Sequence, residues 1–279
     1  MFRGFNTVAS GMIAQQRRTE LLTNNMANAN TPGFKADQST IRSFPDMLMS
    51  RLGPAKIPTE NPISGKKLST VGGISTGVYM SETVALQTQG QLQQTGLNTD
   101  IALIDGVLPV DAESGQSGAL FFRLEHPTEG EAYTRSGNFT LDASGFLTNA
   151  SGLYVLDDAG QRIQLQNDDF RVGDNGQVFV DDVAVAQLGV SYAANPDRLL
   201  KQDNGLYRTE DGTELPSAYN TGDVSFAMQQ GYIEGSNVDS AKTMTELMSA
   251  YRTFEANQKI LQAYDQSMQK AVNEVGRVN

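Results

Sequence analysis

From Val238 to Val275 the chain contains neither glycine nor proline. Within that stretch Leu247, Phe254, Leu261, Met268 and Val275 recur every seven residues. A companion row holds Met244, Tyr251, Gln258, Asp265 and Val272. The two rows have the spacing of the d and a positions of a heptad repeat carried over four heptads. Ser236, followed three residues later by Asp239, predicts a helix start, and Gly276 predicts its stop. A helix over 237–275 would be about 58 Å long at 1.5 Å per residue, too long to lie on one small core. Gln258 and Asp265 are costly in a dry seam, but in a helical assembly such residues specify register or partner.

The N-terminal end carries a weaker version of this pattern. Phe5, Met12, Thr19 and Met26 form one row, and Val8, Gln15, Leu22 and Ala29 the other. Thr31-Pro32-Gly33 ends the helical pattern, because proline and the residue before it resist helix. Asn24, Asn25, Asn28 and Asn30 crowd the last turns, and asparagine is a mediocre helix former, so an unpartnered end should fray. The plain alternative is two ordinary amphipathic helices lying on the middle of the chain. The length and narrow seam of the C-terminal helix favour an assembly seam instead, and the two ends are also candidates to pair with each other.

The middle reads as β-structure. Tyr133, Arg135, Phe139 and Leu141 alternate around Gly137. Turn sequences follow at short intervals: Asp142-Ala143-Ser144-Gly145, Asn149-Ala150-Ser151-Gly152, Asp157-Asp158-Ala159-Gly160 and Gly173-Asp174-Asn175-Gly176. Short apolar runs between such turns indicate antiparallel hairpins in a sheet or barrel. Residues 45–73, with Pro45, Pro54, Pro58 and Pro62 among glycine and serine, read as an extended loop. The expected class is α+β: an N-terminal helix (1–36), a loop or linker (37–80), a β-rich domain (81–235) and a C-terminal helix (236–279) that pairs with the first.

Charge separates the same regions. Residues 1–36 hold Arg3, Arg17, Arg18 and Lys35 against Glu20, and residues 239–279 balance five bases with five acids. Residues 37–238, where 12 bases face 26 acids, carry −14, and the +3 of the N-terminal end brings the chain to −11. A general nucleic-acid binder needs a basic face, which this balance opposes. No apolar run approaches the roughly 20 residues of a membrane helix, and the N-terminus lacks the apolar core of a secretory signal.

The chain has no cysteine and a single histidine, His126. Thiol chemistry and cysteine-based metal sites are thereby excluded. His126 stands between strand candidates with no nucleophile elbow nearby. Paired acids at Asp157-Asp158, Asp168-Asp169 and Asp181-Asp182 raise the thought of a hydrolase, for example one acting on cell-wall polymers. Adjacent side chains of a strand point to opposite faces, however, and these acids sit where turns are expected. No catalytic, cofactor or metal constellation emerges.

The termini carry a resemblance. Ser10-Gly11-Met12 and the run Asn24-Asn25-Met26-Ala27-Asn28-Ala29-Asn30-Thr31-Pro32-Gly33-Phe34-Lys35 resemble the N-terminal signature of the bacterial flagellar rod and hook protein family. Gly231-Tyr232-Ile233-Glu234-Gly235-Ser236-Asn237-Val238-Asp239 resembles its closing signature, as does Tyr251-Arg252-Thr253-Phe254-Glu255-Ala256-Asn257-Gln258-Lys259. Thr88-Gln89-Gly90, Thr95-Gly96 and Tyr133-Thr134-Arg135-Ser136-Gly137-Asn138-Phe139 match in the middle. The length of 279 residues suits the distal-rod group, of FlgG and FlgF type. The stretch Ala14-Gln15-Gln16-Arg17-Arg18-Thr19-Glu20 is similar to the Gram-positive, FlhO-like variant. Departures fall at Thr99-Asp100-Ile101-Ala102-Leu103-Ile104 and at an extra loop, 111–118, ahead of Phe121-Phe122.

The resemblance implies a structural subunit and no enzyme or cofactor. Its terminal helices would pair as a coiled coil and stack into the core of a hollow rod that transmits torque and encloses the export channel. The β domain would lie outside. Partners would be copies of itself, neighbouring rod and hook proteins and the flagellar type III export apparatus. The chain would pass that apparatus unfolded, without a cleaved signal peptide, to a place outside the cytoplasmic membrane; an adaptor seated on the rod is the other reading. The absence of cysteine is compatible with such an exterior.

Overall fold

A computed structural model describes residues 3–56, 64–111, 115–126 and 130–275. Pro58, Pro62, Gly276 and part of the 111–118 loop lie outside the described residues. The chain is α+β, with helices α1 (Arg3–Ala27) and α2 (Ser240–Val275) and antiparallel strands between them. Neither helix is long and apolar enough to cross a membrane.

Two compact units are present, and the first draws on Met1–Asn24, Gln38–Thr83 and Ala241–Asn279. Its longer helix, α2, has 36 residues and so spans about 54 Å. The helix begins at Ser240 rather than 237. Residues 236–237 are held by other partners: the Ser236 hydroxyl accepts from the Val238 amide, and the Asn237 side chain donates to the carbonyls of Leu86 and Thr88.

The stretch read as a loop, 37–80, instead forms strands over most of its described residues. Met47–Lys56 pairs antiparallel with Ser64–Ile74, in register from Met47↔Ile74 to Lys56↔Ser64. Asp37–Ser43 pairs with Val78–Ala85. Composition misleads here because a two-stranded ribbon leaves each strand one unpaired edge, where proline is tolerated. Pro54 sits in such a strand, opposite Lys66.

The second unit comprises Asn25–Asp37 and Val84–Ser240. A five-stranded antiparallel sheet runs in the order Val190–Ala193, Ala119–His126, Gly130–Thr134, Leu206–Thr209, Leu199–Lys201. Residues 119–124 are buried on both faces. Leu120, Phe122 and Leu124 enter the main core with Ile101, Leu103, Phe139 and Val190. Alternate residues Ala119 and Phe121 join Tyr133 and Tyr207 in a smaller cluster. This is the period-two alternation of a strand covered on both sides. Phe122 and Phe139 meet edge to face with centroids 5.1 Å apart.

Short hairpins complete the unit, and the expected turn chemistry is present. The Asp142 carboxylate accepts from the amides of Ser144 and Phe146, with Gly145 at φ +80°. Asn149 serves Ser151 and Leu153 in the same way.

Candidate functional site

Within the second unit, the N-terminal and C-terminal signatures meet around one carboxylate. Residues 31–37 leave α1 as a strap, turning at Gly33, whose φ of +69° suits glycine. A side chain there would also strike the backbone of Ser136 at 2.5 Å. The Gly33 amide donates to the Glu234 carbonyl at 2.7 Å. Glu234 closes the strand Tyr232–Glu234, which pairs with Leu92–Gln94.

The Glu234 side chain is 1% exposed. Its Oε1 accepts from Lys35 Nζ at 2.7 Å and from the Gly90 amide at 2.8 Å. Its Oε2 accepts from Arg135 Nε at 2.5 Å. Lys35 also donates to the Thr88 carbonyl at 2.9 Å. Arg135 reaches Asp105 at 2.8 Å and donates to the carbonyls of Leu120 and Leu103. Two cations and two carboxylates are thus drawn together and balance each other.

The surrounding polar groups extend the same junction. The Ala36 amide donates to Asn237 Oδ1 at 2.7 Å. Gln89 donates to the Leu103 carbonyl and accepts from the Asp105 amide. Lys201 Nζ donates to the Lys35 carbonyl and the Asp37 carboxylate, each near 3.0 Å, and lies 4.1 Å above the Phe34 ring. Asn25 exchanges two hydrogen bonds with the Asp37 backbone.

Burial alone would push the Glu234 carboxyl up, but Arg135 and Lys35 outweigh it and hold the group below its ordinary value of 4.5. A carboxylate depressed in the folded state contributes stability above its unfolded value and loses it as pH falls through the folded one. The melting temperature is therefore expected to drop as the medium is acidified below pH 4.5. Glu234→Gln should flatten that acid limb, as a melting series across acid pH would show.

Other signature residues are structural in specific ways. Ser10 donates to the Thr7 carbonyl and accepts from the Val78 amide. Thr31 bonds the side chain of Asn28. Gly231, at φ +78°, donates to the Asp100 carbonyl and accepts from the amides of Thr95 and Gly96. Pro32 and Val238 are half-buried, and Asn24 is exposed.

On the helices, the expected seam positions divide. Leu22 is buried, and Phe5, Val8, Met12, Gln15 and Met26 are half-buried. Leu247, Phe254, Leu261 and Met268 are half-buried, whereas Gln258 and Asp265 are exposed and Met244, Tyr251 and Val272 are 49%, 54% and 72% exposed. The covered companions of the first row are Thr243, Ala250 and Asn257, one position away. Side-chain contacts join α1 to α2 in reversed order. Arg18 meets Glu246 at 3.3 Å, a Cβ on Gly11 would lie 3.4 Å from Asn257, and one on Gly4 would lie 2.3 Å from the Tyr264 hydroxyl.

The candidate hydrolase acids have structural roles. Asp157 accepts from the Gln161 amide at 2.6 Å, Asp168 lends its backbone carbonyl to Asn98, and Asp181 has φ +50° at a hairpin turn. Among the described residues, no three His, Asp or Glu side chains are grouped to hold a metal ion.

Residues 5–35 match the family described as flagella basal body rod protein. Residues 117–180 match the D1 domain of flagellar hook protein FlgE/F/G, and residues 229–274 the C-terminal region of flagellar basal body rod FlgEFG protein. The flagellar hook-basal body complex protein FlhO of Bacillus subtilis is 44% identical over 278 residues, covering 100% of both chains. The chain belongs to the flagellar basal-body rod protein family.

Within that family, the flagellar basal-body rod protein FlgG of Bacillus subtilis is 32% identical, over 98% of this chain and 99% of its own. FlgF of Caulobacter vibrioides is 27% identical, over 97% of this chain and 96% of its own. Each of the three matched segments supplies one charged member of the junction: Lys35, Arg135 and Glu234. Reading the sequence did not single these out as a site. Their signal is a charge of matching sign placed inside each signature, which only spatial proximity turns into a cluster.

Proposed function

We propose that this chain is a structural subunit of the distal flagellar rod, polymerising through its terminal helices into a hollow helical shaft. The observation that carries the reading is the full-length similarity to FlhO and FlgG proteins of the basal body. The exposed row Met244, Tyr251 and Val272 on α2 supports it: such side chains are costly to leave in water and are suited to burial against a neighbouring copy. The antiparallel contacts of Gly4, Gly11 and Arg18 with α2 support pairing of the two terminal helices. Copies joined head to tail by such a seam, without closing into a ring, would build a helical filament.

In this reading the seam comprises Phe5, Val8, Met12, Gln15, Leu22 and Met26 on α1. On α2 it comprises Met244, Leu247, Tyr251, Phe254, Gln258, Leu261, Asp265, Met268, Val272 and Val275. Partners are copies of the chain and adjoining rod and hook proteins. The subunit reaches its place outside the cytoplasmic membrane through the flagellar export apparatus. The acid-rich middle stays on the outside and keeps the subunit soluble.

The test is electron microscopy of basal bodies purified from cells lacking this chain. Shortened or missing rods are expected. Rods of normal length and number would remove the reading.

A further inference from the structure

The junction of the two chain ends has a property that does not depend on the rod reading. Lys35 and Glu234 are separated by 199 positions in the chain yet are 2.7 Å apart and almost fully buried. Arg135, equally buried, forms ion pairs with Glu234 and with the half-buried Asp105. With all four present, two positive and two negative charges cancel. With the N-terminal strap absent, Arg135 faces two carboxylates; with the C-terminal strap absent, Lys35 and Arg135 face one. A buried charge left without its partner is strongly unfavourable, whereas removing both members of a pair together is far better tolerated.

The strap contacts follow the same logic. The Gly33 amide needs the Glu234 carbonyl, the Asn237 amide needs the Phe34 carbonyl, and the Ala36 amide needs the Asn237 side chain. Each strap therefore supplies the hydrogen-bond partners of the other, and buried backbone groups are rarely left unpaired.

We propose that the Lys35–Glu234–Arg135–Asp105 cluster is a completion latch: the straps 31–37 and 230–237 seat only together, so the second unit closes only when both chain ends are available. In any process that delivers a chain end first, synthesis or passage through a channel alike, the two ends arrive at different times. The latch keeps the unit open until the second end has come, because a half-filled cluster carries an unbalanced buried charge.

The test is hydrogen exchange by mass spectrometry on the full chain and on Lys35→Met, Glu234→Gln and the double variant. In Lys35→Met, exchange across the whole of 230–237 should accelerate by about a hundredfold or more, although the changed residue is 199 positions from Glu234 in the chain. Glu234→Gln should loosen 31–37 in the same way, while the strand Ala119–His126 keeps its protection. The double variant leaves Arg135 paired with Asp105 and neutrality restored, so it should exchange more slowly than Lys35→Met alone. If Lys35→Met fails to fold, recovery of a cooperative melt in the double variant upholds the latch. Unchanged exchange of 230–237 in Lys35→Met overturns it, as does a double variant no better than the worse single one.

Discussion

A chain cut to residues 25–240 is expected to fold and melt cooperatively, whereas one that begins at Gln38 is expected to lose most of that stability. The boundary follows from where the second unit starts, at Asn25 and not after the N-terminal strap. Removing 25–37 takes away buried Gly33, Phe34 and Lys35. Loss of Phe34 alone forfeits about 1.5–3 kcal/mol of apolar burial. Loss of Lys35 leaves Arg135 against two carboxylates, a change of the kind that costs about 3–5 kcal/mol. Lys201 meanwhile loses the Lys35 carbonyl and the Asp37 carboxylate. Against the total of about 5–15 kcal/mol typical of a domain, these losses are decisive. Thermal melts of the two fragments followed by circular dichroism would check it, and equal midpoints would refute it. Neither fragment contains the helices of the first unit, so neither should polymerise.

Gly137→Ala is expected to be among the most destabilising single substitutions in the chain. A Cβ at this position would stand 1.6 Å from the Ile101 carbonyl oxygen and 3.4 Å from the Phe122 ring. The obstacle is backbone, so no rotamer relieves it. The same carbonyl region is tied down, since the Ile101 amide donates to the Gly137 carbonyl at 3.0 Å. Moving the strands apart would open the packing of Phe122 on Phe139 in the main core. A loss of about 3 kcal/mol or more is expected, at the upper end of the usual cost of overpacking because the obstacle is backbone. Gly152→Ala provides the contrast: no atom lies within 4 Å of its Cβ, and only a φ of +79° opposes it, so about 1 kcal/mol is expected. Urea denaturation midpoints of the two variants should differ widely. Similar midpoints would mean that the close approach of Gly137 to Ile101 is not maintained in solution.

These two outcomes concern positions whose importance was only partly legible beforehand. The long helix, its freedom from glycine and proline, the stop near Thr31-Pro32-Gly33 and the glycine-bearing turns of the middle could all be read along the chain. Each depends on interactions within a few residues: helix capping and breaking, or a side chain closing its own turn as at Asp142 and Asn149. The family signatures were legible for the same reason, being contiguous strings. The loop expected over 37–80 was misread because strand pairing there joins residues such as Met47 and Ile74 through backbone groups that composition does not report.

The sequence by itself determined the two terminal helices, the β character of the chain beyond residue 80, the acid excess of the middle and the absence of thiol chemistry. Tertiary structure decided which neighbours those elements have. It covered Thr243 and Ala250 on α2 and left Met244 and Tyr251 exposed, because helices approach most closely over small side chains, which a hydropathy pattern passes over. It also drew Lys35, Arg135 and Glu234 into one buried cluster. A periodic pattern is a property of neighbouring residues, whereas charge balance at a buried site belongs to residues far apart in the chain, and only the folded chain brings them within reach.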